Sequence, residues 1–156
     1  MSVFQKLAAA AALALLPLAA TAGETVLTVT HAGTSTALDM DALQAMESVE
    51  FETTTTWTEG VQSFKGVSLS NFLSEFGIAE GALKATAIND YAVEIPVSDA
   101  VDNGPMIAYL RNGAPMSVRD KGPLWIVYPY DVNSEYQSEV IYSRSIWQLD
   151  RIEVIE

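Results

Sequence analysis

The chain has 156 residues, of which 49% are hydrophobic, no cysteine, and a formal net charge of −12 at pH 7. The lack of cysteine excludes disulfides, thiol catalysis and cysteine-based metal sites. The negative charge disfavours nucleic acid and anionic lipid as partners, because like charges repel.

The first 22 residues have the pattern of a secretory signal peptide. Lys6 precedes an apolar run from Leu7 to Leu16, and Ala20-Thr21-Ala22 forms a small-x-small cleavage site. We therefore predict a periplasmic or secreted protein that does not insert into the membrane after cleavage. A retained N-terminal anchor is the alternative. Residues 23–156 suffice for one domain, and its net charge is −13 because Lys6 is lost.

The beginning of this domain is predicted to contain two strands and a short helix. Alternating apolar residues indicate a strand at Glu24 to His31, and β-branched and aromatic residues indicate another at Ser48 to Trp57. Between them, Asp39 is a suitable N-cap for a short helix that ends near Met46. Because His31 is the only histidine, the chain cannot build a zinc or copper site from histidine and cysteine.

The middle of the chain is predicted to contain a second helix and a hairpin. Thr58 to Lys65 is polar and indicates a loop, whereas Leu69 to Phe76 has apolar residues at helical spacing and is followed by Gly77. Asn89-Asp90 is a suitable turn between two strands, at Lys84 to Ile88 and Tyr91 to Ile95.

The stretch from Arg111 to Tyr130 is the most informative part of the sequence. A strand at Met106 to Leu110 leads into Asn112-Gly113, a dipeptide suited to a tight hairpin turn. Charged residues, including Arg119 and Lys121, then precede Gly122-Pro123 and a short apolar run, Leu124 to Tyr128. The run predicts a buried strand, and the cationic loop before it is a candidate anion-binding place.

The last part of the chain gives a weaker pattern. Tyr130 to Gln137 is polar and aromatic without clear periodicity, and Trp147 to Ile155 is predicted to form the closing strand. Many short strands and two short helices, without βαβ alternation, favour an α+β domain.

Three segments of the sequence resemble one known family. They are the NG-x-P and G-P-L elements between Asn112 and Leu124, FKGVSLSNFL at Phe64 to Leu73, and WQLDRIEV at Trp147 to Val154. In this order they resemble the oxidoreductase molybdopterin-binding domain from about Val49 onward. The resemblance implies a sulfite-oxidase-type fold with mixed, layered β-sheets.

The resemblance also implies a molybdenum site, but two of its elements are missing. The metal-ligating cysteine of the family would lie at Thr53 to Thr55, and a neutral hydroxyl cannot replace a thiolate. The phosphate-binding or pterin-binding arginine of the family's G-x-P-L-Arg would stand at Trp125, whose indole carries no charge. Insertion of this cofactor normally precedes export. We therefore expect no cofactor and no metal ligand, with molybdopterin as the alternative.

These observations lead to three hypotheses. The first is an exported domain that keeps the molybdopterin-binding fold without metal-dependent catalysis and acts as a ligand-binding, sensory or partner module. The second is a molybdopterin-dependent oxidoreductase in which the pterin alone holds the metal, and the third is a purely structural interaction module.

For the first hypothesis we predict a binding cleft without catalytic residues. The cleft would accept a small planar or anionic ligand, because aromatic faces and guanidinium groups suit such molecules. A periplasmic or membrane protein is the alternative kind of partner. The predicted lining residues are Trp57, Arg119, Lys121, Tyr130 and Arg144.

Overall fold

The computed structural model describes residues 23–156, so the predicted signal peptide at residues 1–22 lies outside the described part. Within that part, ten strands are present: β1 Thr25–His31, β2 Thr34–Asp39, β3 Ser48–Thr53, β4 Gln62–Ser68, β5 Ala82–Ala87, β6 Ala92–Pro96, β7 Met106–Arg111, β8 Ala114–Pro115, β9 Trp125–Val127 and β10 Leu149–Ile155. The α-helices are α1 Met40–Ala45, α2 Leu69–Glu75 and α3 Glu139–Arg144, and short 3₁₀ turns lie at Val97–Asp99, Val118–Asp120 and Ser134–Tyr136.

The first sheet contains both ends of the domain. Its strand order is β2-β1-β10-β5-β6. The closing strand β10 pairs in parallel with β1 and antiparallel with β5, so the sheet is mixed. Leu27 and Val29 on β1 and Ile152 on β10 are buried, which explains why alternation in the sequence was informative here.

The second sheet is antiparallel and carries the most buried strand. Its order is β3-β4-β7-β8, and β9 pairs with β7. All three residues of β9 are buried. Gly66 on β4 permits close contact with β7, since a Cβ at this position would lie 1.9 Å from the Ile107 carbonyl oxygen.

Each helix begins with a side-chain cap. The backbone N–H of Ala42 donates to Asp39 at 2.8 Å, that of Asn71 to Ser68 at 3.1 Å, and that of Ile141 to Ser138 at 3.3 Å. The two predicted helices are therefore present as α1 and α2. The helix α3 was not predicted, because it has six residues and only one buried side chain, Ile141, and so lacks a helical apolar stripe.

Several predicted boundaries need correction. The predicted loop at Thr58 to Lys65 contains the start of β4 at Gln62, and β2 was missed. The strand predicted to reach Trp57 ends at Thr53. Beyond this residue, hydrogen bonds made by polar side chains replace the backbone pairing of the strand. The hairpin prediction at Asn112-Gly113 is confirmed, with positive φ angles of 51° and 78°.

The two sheets and the helices share one hydrophobic core. Buried residues from β1, β4, β5, β7, β9 and β10 join Leu43 of α1, Leu69, Phe72 and Leu73 of α2, and Ile141 of α3. The predicted α+β class with mixed, layered sheets is confirmed. Between residues 23 and 156, no helix is long and apolar enough to cross a membrane.

Candidate functional site

Trp57 and four other aromatic side chains form one cluster, with Trp57 at its centre. The Trp57 ring centroid lies 5.5 Å from that of Trp147, 5.7 Å from Tyr142, 6.0 Å from Trp125 and 6.3 Å from Tyr130, each in an edge-to-face arrangement. These spacings are favourable for aromatic pairs, each of which contributes about 0.5–1.5 kcal/mol beyond area burial. We call this set of residues the aromatic cluster.

Turns and short backbone bridges position the cluster. Trp57 lies in the turn after β3, and its backbone N–H donates to the Thr55 hydroxyl at 3.1 Å. Trp125 begins β9 and forms an isolated antiparallel bridge with Trp147, next to a 2.9 Å hydrogen bond from Ile126 N–H to the Ile146 carbonyl. Two distant parts of the chain thus hold their indoles side by side.

A groove with a volume of about 380 Å³ opens beside the cluster. Its lining is aromatic, aliphatic or polar and contains no charged side chain. We call it the aromatic groove, and it is lined by Trp57, Ala87, Asn89, Tyr91, Tyr142, Ser143, Ser145, Ile146, Trp147 and Gln148.

The structure brings three of the five predicted site residues into or next to the cluster. Trp57 and Tyr130 are members of it. Lys121 places its ammonium 5.2 Å from the ring centroid of Trp147 and 5.8 Å from that of Trp125, both within cation–π range. Lys121 borders the cluster but does not line the aromatic groove.

Tyr130 is buried inside the protein, so its side chain is not exposed to a ligand. Its hydroxyl donates to the Ser145 Oγ at 2.6 Å, and Ser145 in turn donates to the Ile141 carbonyl. Burial raises the pKa of Tyr130 to about 12. The side chain is thus neutral at physiological pH and ties β9 to α3.

The two arginines of the predicted site are placed differently. Arg144 donates to Asp99 at 2.8 Å in a largely buried ion pair, so its charge is already compensated. Arg119 lies in the exposed turn Val118–Asp120, and no hydrogen bond or ion pair links it to the aromatic cluster within the described domain. A ligand site made of all five residues remains a prediction.

The threonines at the expected cysteine position are bonded within the protein. Thr53 Oγ1 donates to the Thr54 carbonyl at 3.0 Å and accepts from Asp131 N–H at 3.3 Å. Thr54 Oγ1 donates to Asp131 at 2.6 Å, and the Thr55 and Thr58 hydroxyls bond at 2.7 Å. These contacts join the end of β3 to the loop that follows β9.

Trp125 is fully buried and hydrogen bonded. Its indole N–H donates to the Ser145 carbonyl at 3.2 Å, and its ring lies 5.3 Å from that of Phe64. The single donor of this side chain is therefore not available to an external phosphate. From residue 23 to residue 156, no group of three or more His, Cys, Asp or Glu side chains could hold a metal ion.

The contact of Asp131 with Thr54, which joins the end of β3 to the loop that follows β9, is expected to depend on pH. Hydrogen bonds from the Thr54 hydroxyl and backbone N–H hold the pKa of Asp131 below its usual value. Because the folded-state pKa is lowered, the stabilisation is present above the unfolded pKa of about 3.9 and is lost as pH falls through the folded pKa.

We therefore predict that Asp131→Asn lowers the free energy of unfolding near pH 7 and that this difference disappears in acid. The side chain is exposed, so the expected loss is below about 1 kcal/mol. Urea denaturation between neutral and acidic pH would measure it. Glu80→Gln is the control for net charge, because Glu80 is exposed and makes no hydrogen bond inside the described range. A loss for Asp131→Asn that is constant with pH would contradict the prediction.

The chain is similar to known proteins in sequence and in fold. A family model described as oxidoreductase molybdopterin-binding domain matches residues 15–137, more than half of the chain. The chain belongs to this family. The crystal structure of the sulfane dehydrogenase SoxCD from Paracoccus pantotrophus matches with a TM-score of 0.61 and 16% sequence identity, over 82% of this chain and 37% of that chain. No curated protein matches the sequence.

The comparison confirms the sulfite-oxidase-type fold that the sequence resemblance implied. At this identity the structural match shows the fold alone, and the chain spans only 37% of the length of the SoxCD chain. The family match ends at residue 137, so α3, Trp147 and β10 lie beyond it. Much of the aromatic groove is therefore built outside the matched segment.

The donor groups of this family member do not fit a protein-ligated molybdenum centre. The hydroxyls at Thr53, Thr54 and Thr55 are bonded within the protein, and the chain has no cysteine. The buried Trp125 stands where the family resemblance places an arginine. The fold of a molybdopterin-binding domain is thus present without these two means of holding the cofactor.

Three groove residues and one half-buried carboxylate were not predicted from the sequence. Tyr91, Tyr142 and Trp147 are aromatic residues next to turns, and that position was the only signal that could have identified them. Asp99 lies in the 3₁₀ turn Val97–Asp99 after β6. Its pairing with Arg144 joins positions 45 residues apart and has no local signal.

Proposed function

We propose that this protein is an exported, ligand-binding or sensory member of the molybdopterin-binding domain family that does not carry out metal-dependent catalysis. One observation carries the proposal. At the expected position of the metal-ligating cysteine, Thr53 and Thr54 are joined to Asp131 by hydrogen bonds of 2.6 to 3.3 Å. The protein uses this segment for its own structure.

The surroundings of Trp125 support the same proposal. A phosphate-binding arginine needs an open approach for its ligand, whereas this side chain is enclosed by Phe64, Trp57 and Trp147. Its N–H group is used by the Ser145 carbonyl. Meanwhile the aromatic groove next to it remains open, with a volume of about 380 Å³. A concave aromatic site of this size is typical of small-molecule binding.

Family membership also favours a second candidate, a molybdopterin-dependent oxidoreductase in which the pterin alone holds the metal. Arg119 and Lys121 would then bind the phosphate group of the cofactor, because neither forms an ion pair with another described residue. Against this candidate, the domain carries a charge of −13 after loss of Lys6, which opposes binding of a polyanionic cofactor.

The test is the composition of the protein isolated from the periplasm of its own host, grown with molybdate. We expect no molybdenum by mass spectrometry and no fluorescence of oxidised pterin. A cysteine-containing family member isolated in parallel is the control for cofactor supply. Recovery from the periplasm with Gly23 as the first residue would support export and cleavage after Ala22.

The outcomes separate the candidates. Stoichiometric molybdenum with pterin would replace the proposal by the oxidoreductase. Pterin without metal would show that a cofactor-binding groove is retained without the metal centre. Absence of both, while the control protein carries both, would support the binding module.

A further inference from the structure

We propose that the aromatic groove binds a planar, uncharged heteroaromatic molecule with a hydrogen-bond donor and an acceptor on one edge. This inference rests on the proposed function, since it names the class of ligand that the binding module would take. The sequence suggested a small planar or anionic ligand, and this inference restricts that class to planar molecules without charge.

The groove exposes aromatic surface to water. The groove is lined by Trp57, Tyr91, Tyr142 and Trp147. Tyr91 is 57% exposed and Trp147 is 36% exposed, whereas the neighbouring Trp125 and Tyr130 are almost fully buried. Covering such aromatic faces with a flat, largely apolar molecule removes them from water, which is energetically favourable.

The lining of the groove favours an uncharged ligand. An anion would find no cationic residue in the lining, because Lys121 borders the aromatic cluster without lining the groove, and the net charge of the protein opposes it. A cation would find no carboxylate in the lining, and Lys121 already occupies a cation–π position 5.2 Å from the Trp147 ring centroid. An uncharged ligand meets neither obstacle. A phosphate-bearing cofactor would meet the same obstacles as any other anion.

Two amide side chains line the groove. Asn89 accepts a 3.2 Å hydrogen bond from Tyr91 N–H through Oδ1, which leaves its Nδ2 as a donor. Gln148 donates through Nε2 to the Val118 carbonyl at 2.6 Å, which leaves its Oε1 as an acceptor. The two segments are neighbours, because Ile88 N–H donates to the Gln148 carbonyl at 2.9 Å. A ligand that carries a carbonyl and an N–H can therefore pair with both groups.

The size of the groove limits the ligand. Its volume of about 380 Å³ is close to the lower end of the usual range for ligand pockets, about 300–1,000 Å³. A two-ring or three-ring molecule suits this space, and the partial opening to solvent allows a substituent to project outward.

The experiment compares three bicyclic probes of the same shape. Quinolin-2(1H)-one is neutral and has a lactam edge, quinoline-2-carboxylate is an anion, and N-methylquinolinium is a cation. Each is titrated into the ¹⁵N-labelled exported protein while the indole N–H resonances of Trp57, Trp125 and Trp147 are followed. We expect saturable shifts at Trp57 and Trp147, and binding of the neutral probe about tenfold tighter than that of either ion.

Variants locate the binding. Trp147→Ala and Tyr91→Ala are expected to weaken binding of the neutral probe about tenfold or more. The matched control is Val132→Ala, which alters an exposed apolar residue outside the groove and should leave affinity unchanged. Tyr91 is exposed, so its variant keeps the test valid if Trp147→Ala does not fold.

Three results would overturn the inference: no saturable binding of the neutral probe, equal or tighter binding of either ion, or unchanged affinity in both groove variants. The metal and pterin analysis tests the proposed function independently. If the protein contains neither molybdenum nor pterin and does not bind the neutral probe, the proposed function is retained and the inference about the ligand class is rejected. A protein that carries molybdenum would remove the proposed function instead.

Discussion

Trp125→Arg, which restores the arginine that the family resemblance places at this position, is expected to unfold most of the protein at neutral pH. The side chain is fully buried, with its ring against Phe64 and Trp57 and its N–H on the Ser145 carbonyl. A guanidinium there would be charged, unpaired and cut off from water, at an expected cost of about 5 kcal/mol or more. That is comparable with the total stability of many domains, about 5–15 kcal/mol.

Urea denaturation followed by circular dichroism would measure the loss, with Trp125→Phe as the matched control. Phenylalanine keeps an apolar ring and removes the indole hydrogen bond and some volume, so we expect a loss of only about 1–3 kcal/mol. If the arginine variant were as stable as the phenylalanine variant, Trp125 would not be an obligatory part of the core. The interpretation that this family member has lost its phosphate site to packing would then be wrong.

The sequence was most informative where one residue type has one structural use. Asn112-Gly113 specified the hairpin because both positions need positive φ, and Asp39 specified the start of α1 because its side chain caps a free N–H. The run around Trp125 to Val127 specified a buried strand because no charge interrupts it. These local signals determine a large part of the fold.

Elements held by long-range contacts gave no such signal. The strand β2 is polar and exposed along much of its length, and it exists because it pairs with β1. The helix α3 has one buried residue, and its C-cap Ser145 is held by contacts such as the hydrogen bond from Tyr130. Neither pattern differs from that of a surface loop when the sequence is read by itself.

The candidate site shows the same division. Trp57 and Lys121 could be nominated from the sequence, and the structure places both at the aromatic cluster. The sequence could not show that Arg144 is already neutralised or that Trp147 returns from the end of the chain to meet Trp125. A cluster of cations in sequence therefore suggested an anion site, whereas the folded groove is uncharged.

The role of Arg144 can be tested through its partner. Tyr128 and Arg144 both donate to the same oxygen of Asp99, each at 2.8 Å. The Asp99 and Arg144 side chains are only 16% and 23% exposed, so water screens the pair weakly. Burial, together with the nearby Asp99 charge, raises the pKa of Tyr128, which therefore stays a neutral donor.

We expect Asp99→Ala to lower the free energy of unfolding by about 3 kcal/mol, because it leaves a guanidinium and a buried phenol without their acceptor. Chemical denaturation of the variant would measure this loss. The control is Asp90→Asn, which removes the charge of the exposed pair with Arg151, keeps a side chain that tolerates the positive φ of 68° at this position, and should cost below about 1 kcal/mol. Adding Arg144→Met to Asp99→Ala should recover part of the stability, since the uncompensated charge is removed. Equal losses for the Asp99 and Asp90 variants would instead mean that Arg144 is not committed to the core and remains available as a ligand-binding cation.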